Sequence, residues 1–125
     1  ECADQTFTSS TDEFLCFGSY SCDNALIHTT DPINCNGYFA CNGVQKLETN
    51  AWIWCRGYAG CAHSKDTIQA DNFIYCTGDE SCYNSNVRSG TNIKCRGNSA
   101  CVFGVLYSGK LHIYILYVFN TKSIS

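Results

Sequence analysis

Apolar and polar residues alternate in short segments that recur along the chain. Five segments share an apolar residue, then a cysteine two positions later, then a glycine two positions after that. Alternation with a period of two places these three residues on one face of a β-strand. The pattern therefore predicts equivalent strands, each ending in a sharp turn at a glycine where a side chain would crowd the neighbouring layer. The apolar residues and glycines are Phe14 and Gly18, Ile33 and Gly37, Ile53 and Gly57, Ile74 and Gly78, and Ile93 and Gly97.

A second apolar position precedes most of these cysteines by eight residues. Phe7 leads its cysteine by nine residues. The number of residues that separate this second position from the preceding cysteine varies between repeats, which indicates a loop at one corner. The residues are Ile27, Leu47, Ile68 and Val87.

Ten of the eleven cysteines lie in five copies of the motif C-x-G-x-x-[Ser/Ala/Gly]-C. The first cysteines of the copies are separated by 19, 20, 21 and 19 residues. A fixed period near 20 is typical of stacked-repeat proteins. The sequence therefore predicts an all-β fold, a disulfide-stapled parallel β-helix (β-solenoid) of about five to six coils. We expect it to be right-handed, because most parallel crossovers are right-handed.

The repeat also predicts the domain organisation and the disulfides. We interpret 1–125 as one solenoid domain, with a half-repeat at 1–13, cysteine repeats at 14–106 and a cysteine-free apolar segment at 107–125. Bridges within each motif are favoured, although bridges between stacked coils stay open. The small residue before each second cysteine fits a tight corner; these residues are Ser21, Ala40, Gly60, Ser81 and Ala100. The favoured bridges are Cys16–Cys22, Cys35–Cys41, Cys55–Cys61, Cys76–Cys82 and Cys95–Cys101.

The two ends of the chain depart from the repeat. Cys2 is in register with the second cysteine of each motif but lacks a first cysteine. It is a candidate for an intermolecular bond or a free thiol. In the segment "KLHIYILYVF" at 110–119, Tyr114 or Ile115 takes the missing cysteine's position.

That final segment is apolar on both faces, as in strands that are buried on both sides. It could fold back over the last coil, or it could pair with the next subunit in a head-to-tail filament. The candidate subunit-interface residues are Leu111, Ile113, Ile115, Leu116, Tyr117, Val118 and Phe119.

Composition restricts the setting of the protein. Eleven cysteines in 125 residues favour a disulfide scaffold from an oxidising compartment, and hence an extracellular location. The chain begins with Glu1 and contains no Met, which suggests a mature chain after removal of a signal peptide. With a net charge of −3 and no basic stripe we expect no nucleic-acid partner. Without a long apolar run we also expect no membrane span.

Residues with catalytic or metal-binding chemistry are scattered. The acidic residues form no pair that predicts a polysaccharide-active enzyme. The histidines His28, His63 and His112 fall at unrelated repeat positions, without the spacing of a zinc site. Ice binding requires threonines that recur in every coil, and the threonines of this chain do not recur in that way. We therefore predict no enzyme activity, no cofactor and no metal. Serines and threonines leave room for O-linked sugars.

Aromatic residues are more informative. Trp54 and Tyr75 share the position before a first cysteine and should stack in adjacent coils, with Trp52 nearby. Such a stripe could bind glycans or a neighbouring protofilament, because aromatic faces bury a large area at low entropy cost. It could equally be cross-strand pairing that stiffens the sheet.

The repeated unit, over residues 2 to about 106, resembles cysteine-rich β-solenoid repeats of extracellular proteins from protists and other microbial eukaryotes. The resemblance implies a parallel β-helix in a surface or matrix setting, and it transfers no catalytic residue. Our leading expectation is an extracellular structural subunit that polymerises head to tail with itself. The alternative is a monomeric secreted binding module that binds glycans or a surface through the aromatic stripe, and a polysaccharide-active enzyme or ice-binding protein comes third.

Overall fold

The computed structural model describes residues 13–102 and 104–109, together with the backbone of the strands at 6–7, 112–116 and 122–124. This part of the chain consists of short β-strands joined by turns. In chain order the strands are β1 (Thr6–Phe7), β2 (Phe14–Phe17), β3 (Leu26–Thr29), β4 (Ile33–Asn36), β5 (Lys46–Thr49), β6 (Ile53–Arg56), β7 (Ile68–Ala70), β8 (Ile74–Thr77), β9 (Val87–Ser89), β10 (Asn92–Arg96), β11 (Val105–Ser108), β12 (His112–Leu116) and β13 (Lys122–Ile124).

Successive strands alternate between two parallel sheets. The first sheet contains seven strands in the order β1-β3-β5-β7-β9-β11-β13, and the second contains six in the order β2-β4-β6-β8-β10-β12. One strand from each sheet makes one coil, and each coil pairs with the coil before and after it. The predicted all-β, parallel β-solenoid is therefore confirmed. Its right-handedness stays a prediction.

Equivalent positions of the repeat pair directly with one another. In the second sheet the first cysteines of the five motifs form one continuous row, from Cys16 to Cys95. The strand β12 extends this sheet without a cysteine, pairing Ile113 with Ile93 and Ile115 with Cys95. Of the two residues that could take the missing cysteine's position, Ile115 rather than Tyr114 occupies it.

The core is a narrow column between the two sheets. Its largest side chains are isoleucines, leucines and valines that are almost completely buried, in one row per sheet. All five bridges join cysteines six residues apart, with Cα–Cα distances of 5.6–6.1 Å. Each bridge thus closes within its own coil, as the repeat favours. A loop this short contributes only about 2 kcal/mol of stability per bridge in the chain-entropy account.

Glycine is required where the second sheet turns towards the first. Gly37, Gly57, Gly78 and Gly97 have φ between +90° and +147°, a range that side chains rarely adopt. A Cβ at any of these positions would lie 2.5–2.8 Å from the carbonyl oxygen of the equivalent glycine in the preceding coil. Backbone therefore packs on backbone at this corner, and that contact explains the invariant third position of the motif.

Buried hydroxyl groups stabilise the opposite corner, where the first sheet turns towards the second. Thr49 donates from Oγ1 to the carbonyl of Asp31 in the preceding coil at 2.5 Å, and it accepts the N–H of Ala51 at 3.1 Å. Ser89 makes the equivalent pair of bonds, to the carbonyl of Asn72 at 2.6 Å and from the N–H of Thr91 at 3.0 Å. These hydroxyls satisfy backbone groups that the turn would otherwise bury without partners.

We expect Gly78→Ala to lower the free energy of unfolding by about 3 kcal/mol, since it combines an unfavourable φ with a steric clash. Gly18→Ala is the matched control. Its φ is +103°, but a Cβ there meets nothing within 4 Å, so the loss should be smaller. Urea unfolding with the disulfides intact measures both. Equal losses in the two variants would argue against the backbone contact between coils.

We expect Ser81→Ala to raise the free energy of unfolding by about 1 kcal/mol. The Ser81 side chain is fully buried, and its hydroxyl has no hydrogen-bond partner among the described residues. Alanine already occupies the equivalent position at Ala40 and Ala100, where it is also fully buried. The reverse change, Ala100→Ser, should destabilise the protein in the same urea experiment. A loss of stability in Ser81→Ala would show that its hydroxyl is bonded.

Candidate functional site

The outer face of the second sheet is built from the residues on either side of each first cysteine. Because the cysteine points into the core, its two neighbours point outward. The register of the strands then aligns these neighbours into two rows that run along the solenoid axis. The outward pairs are Leu15 and Phe17 on β2, Asn34 and Asn36 on β4, Trp54 and Arg56 on β6, Tyr75 and Thr77 on β8, and Lys94 and Arg96 on β10.

The character of this face changes from coil to coil. In the first coil Leu15 and Phe17 are 56% and 71% exposed, which makes that end apolar. The second coil presents two amides, the third and fourth present aromatic rings, and the fifth presents two cations. None of the ten outward side chains is a carboxylate, although the chain has a net charge of −3. Positive charge is therefore concentrated beside the aromatic rings.

Trp54 and Tyr75 lie side by side in adjacent coils, as predicted, but their rings meet edge to face instead of stacking. The ring centroids are 6.4 Å apart and the planes are inclined by 87°. Two contacts fix the Trp54 ring. Its Nε1–H donates to Oγ1 of Thr77 at 2.8 Å, and the guanidinium of Arg56 lies 4.2 Å from its centroid. These contacts account for the edge-to-face geometry and hold the indole in one orientation.

Trp52 joins the same aromatic cluster from the corner of its coil. It stacks on Phe73 with centroids 5.5 Å apart and an interplanar angle of 5°. Phe73 in turn contacts Tyr75, with ring centroids 4.3 Å apart. The aromatic rings therefore form a continuous cluster over two coils, with Phe73 as a member that the sequence analysis did not single out. Its signal was available, since Trp52 and Phe73 both directly precede a strand of the second sheet.

A cavity of about 630 Å³, called the groove below, opens beside this cluster. It spans the third to the fifth coil and combines aromatic faces, a hydroxyl, two cations and the backbone of two corner glycines. The Nζ of Lys94 lies 5.5 Å from the centroid of the Tyr75 ring, so that cation and ring border the same space. The residues that line the groove are Trp54, Tyr75, Thr77, Gly78, Lys94, Arg96 and Gly97.

The first sheet presents a different outer surface. Oε1 of Glu48 lies 2.9 Å from Nδ1 of His28 and 3.3 Å from Nζ of Lys46. Lys46 and Glu48 therefore place opposite charges close together on this face. Arg88 packs over Tyr107 at 4.7 Å from the ring centroid, beside cavities of about 230 and 270 Å³. This face has one cation–aromatic pair but lacks the clustered rings of the groove among its described residues.

The sequence analysis found part of the groove. Trp54 and Tyr75 line it, and Trp52 supports Tyr75 through Phe73. Thr77, Lys94 and Arg96 were missed. Their signal lies in comparing the positions next to the first cysteine across repeats, since residues 20 positions apart become neighbours only after the coils stack.

Exposed aromatic residues also cluster at the glycine corner of the first three coils. Tyr38 stacks on Tyr58 with centroids 5.3 Å apart, and Tyr20 stacks on Phe39 at 5.1 Å. The nearby Glu80 carboxylate raises the pKa of the Tyr58 phenol, and burial and a hydrogen bond to Glu80 add to the shift. The carboxylate of Glu80 thus gives this corner an acidic character, in contrast to the groove.

Three groups of cysteines bring sulfur atoms within 4.8 Å of one another, among them Cys55, Cys76 and Cys82. Every cysteine in these groups is part of a disulfide, which leaves no thiolate to bind a metal. His28 and His63 lie apart, in contact with Glu48 and Asn84 respectively.

The described residues include no helix of the length and apolar character needed to span a membrane. The aligned threonines Thr29 and Thr49 are buried instead of forming an outward rank.

Several predicted residues fall outside the part that the structure describes. Cys2 is one of them, as are Leu111, Tyr117, Val118 and Phe119. Ile113, Ile115 and Leu116 belong to β12, for which the backbone pairing is described.

What the structure shows is a cysteine-rich β-solenoid whose paired cysteines lie six residues apart. The resemblance to repeats of microbial eukaryotes stays a prediction. Comparison with family models, with curated proteins and with solved structures finds no match to this chain.

Proposed function

We propose that the protein is an extracellular carbohydrate-binding module that holds sugar rings in the groove. The observation that supports this most directly is the pairing of two fixed aromatic side chains, Trp54 and Tyr75, with hydroxyl and cationic groups in one cavity. Aromatic faces offer a large apolar surface at low entropy cost. A sugar ring has an apolar C–H face and a polar rim, so it matches both kinds of group.

The site is organised before any ligand arrives. The Trp54 indole is held by Thr77 and Arg56, and both lie on strands of the second sheet rather than on mobile loops. Side chains that are already fixed lose little conformational entropy on binding, which favours affinity. The groove crosses three coils, roughly 10 Å along the axis at the usual strand spacing. That length suits a short stretch of a polysaccharide chain.

The lining of the groove favours binding over hydrolysis. Glycosidases commonly use two carboxyl groups on either side of the scissile bond. None of the seven lining residues carries a carboxyl group. An extracellular location is in keeping with the five disulfides, which persist in oxidising compartments.

We expect Trp54→Ala to weaken binding to a polysaccharide by about tenfold or more, since it removes the largest apolar wall of the groove. Trp54→Phe should retain part of the affinity. Affinity electrophoresis on a panel of polysaccharides identifies a ligand, and titration calorimetry measures the variants. Tyr107→Ala, which removes an exposed ring from the first sheet, is the control and should bind normally. Failure of the wild-type protein to bind any polysaccharide, or normal binding by Trp54→Ala, would refute the proposal.

A second candidate function is that of a structural subunit that stacks end to end into a filament. One observation favours it. The pairing of β12 with β10 runs through all five residues of β12, so the solenoid continues in register after the cysteine repeats stop. A further coil could add in the same way, as in β-strand addition. Among the described strands, the first sheet has seven and the second has six. Where such subunits stack end to end, the second sheet therefore has room for one further strand at each junction.

For this candidate we expect electron microscopy to show filaments with an axial repeat of roughly 34 Å, which corresponds to seven strands at about 4.8 Å. Ile115→Lys places a charge at the inward register position of β12 and should abolish them. Leu116→Lys places the same charge at the neighbouring outward position and should not. A monodisperse wild-type monomer at high concentration would exclude this assembly.

A further inference from the structure

The groove carries a charge as well as an aromatic surface. We propose that its ligand is an acidic polysaccharide, in which carboxylate or sulfate groups bind the cations of the groove while the sugar rings pack on Trp54 and Tyr75. This inference rests on the proposed carbohydrate-binding function and specifies its ligand class.

The outer face of the second sheet carries a local excess of positive charge. Arg56, Lys94 and Arg96 are the charged residues among the ten outward side chains of β2, β4, β6, β8 and β10. The whole chain has 11 acidic residues against 8 lysines and arginines. The cations on this face therefore do not reflect a generally basic protein. A face of one sign attracts a ligand of the opposite sign and increases its rate of association.

The cations of this face are also available to a ligand. Among the described residues, the ion pair between a lysine and a carboxylate joins Lys46 to Glu48 on the first sheet. The Arg56 and Lys94 side chains instead pack over aromatic rings, at 4.2 Å and 5.5 Å from the centroids. The N–H donors of a guanidinium lie in its own plane, so a guanidinium over a ring face can still donate them to a carboxylate or sulfate.

The cations also lie next to the ring and the hydroxyl of the neighbouring coil. Tyr75 and Lys94 pair directly across adjacent strands, and so do Thr77 and Arg96. A sugar ring on the Tyr75 side of the groove thus has a cation within one coil, about 4.8 Å further along the axis. A uronic acid or a sulfated sugar presents both an apolar ring face and an anionic substituent at such a distance.

A single-stranded nucleic acid also combines flat rings with negative charge, and aromatic residues beside cations can bind it. The surroundings of the groove disfavour this ligand. Gly78, which lines the groove, is followed directly by Asp79 and Glu80 at the acidic corner. A long polyanion with a charge at every unit would extend past three cations and meet those carboxylates. An acidic polysaccharide that carries its anionic groups at intervals meets fewer like charges there and keeps more contact to the rings.

The test compares acidic polysaccharides with matched neutral forms. Partly methyl-esterified pectin is titrated against the fully esterified form to test for a carboxylate, and lightly sulfated dextran against dextran to test for a sulfate. We expect at least one acidic form to bind about tenfold or more tightly than its neutral counterpart, with an affinity that falls as NaCl rises from about 50 to 200 mM. The arm that shows this preference identifies the anionic group.

The variant Lys94→Gln/Arg96→Gln should lose the preference for the acidic form while keeping residual affinity for the rings. The control Lys46→Gln/Arg88→Gln removes the same charge from the first sheet and should keep the preference. Circular dichroism establishes that both variants fold. Weakening of both variants alike would show a general charge effect and overturn the inference.

The remaining outcomes separate the inference from the proposed function. Equal binding of acidic and neutral forms would overturn the acidic preference but leave carbohydrate binding intact. Absence of binding to every polysaccharide would overturn both. Displacement of a bound acidic polysaccharide by a single-stranded oligonucleotide at lower concentration would overturn the inference in favour of nucleic acid.

Discussion

The direct contact of backbone on backbone at the glycine corner is the constraint on which the rest of the structure depends. Because a Cβ would come within 2.5–2.8 Å of a carbonyl oxygen of the preceding coil, only glycine lets the coils approach to the spacing of a β-sheet. That approach keeps the coils in register. The cysteines, the isoleucines and the outward residues then align in rows along the axis.

This arrangement separates the residues that make the fold from those that can make a function. Inward positions hold aliphatic residues of limited size, cysteine and small hydroxyl residues, because the core is narrow. The outward neighbours of each cysteine have no such restriction, and they differ in every coil. A recognition surface can therefore be assembled from side chains some 20 positions apart, as in other solenoids. The groove is such a surface, with Trp54, Tyr75 and Lys94 contributed by three consecutive coils.

The periodicity was sufficient to predict the fold, because every repeat carries the same signals for strand, turn and bridge. Part of the groove followed from the same reasoning, since Trp54 and Tyr75 share a repeat position. The orientation of Trp54 did not follow, because it depends on a hydrogen bond to Thr77, a residue two positions further along the repeat and one coil away. The roles of Lys94 and Arg96 also require the stacked coils. The unbonded hydroxyl of Ser81 could not be anticipated, because serine and alanine fit that corner equally well by size.

The placement of the disulfides has a consequence for the covalent integrity of the molecule. Each of the five bridges begins and ends in the same coil, so none of them links one coil to the next. Between adjacent coils within residues 13–102, the only covalent connection is the polypeptide itself. A single proteolytic nick outside the disulfide loops, for example in the turn between β7 and β8, would thus leave two fragments held together by hydrogen bonds and packing alone, separable by a denaturant without any reductant. The bridges brace each coil against local opening, but they offer no protection against fragmentation along the axis.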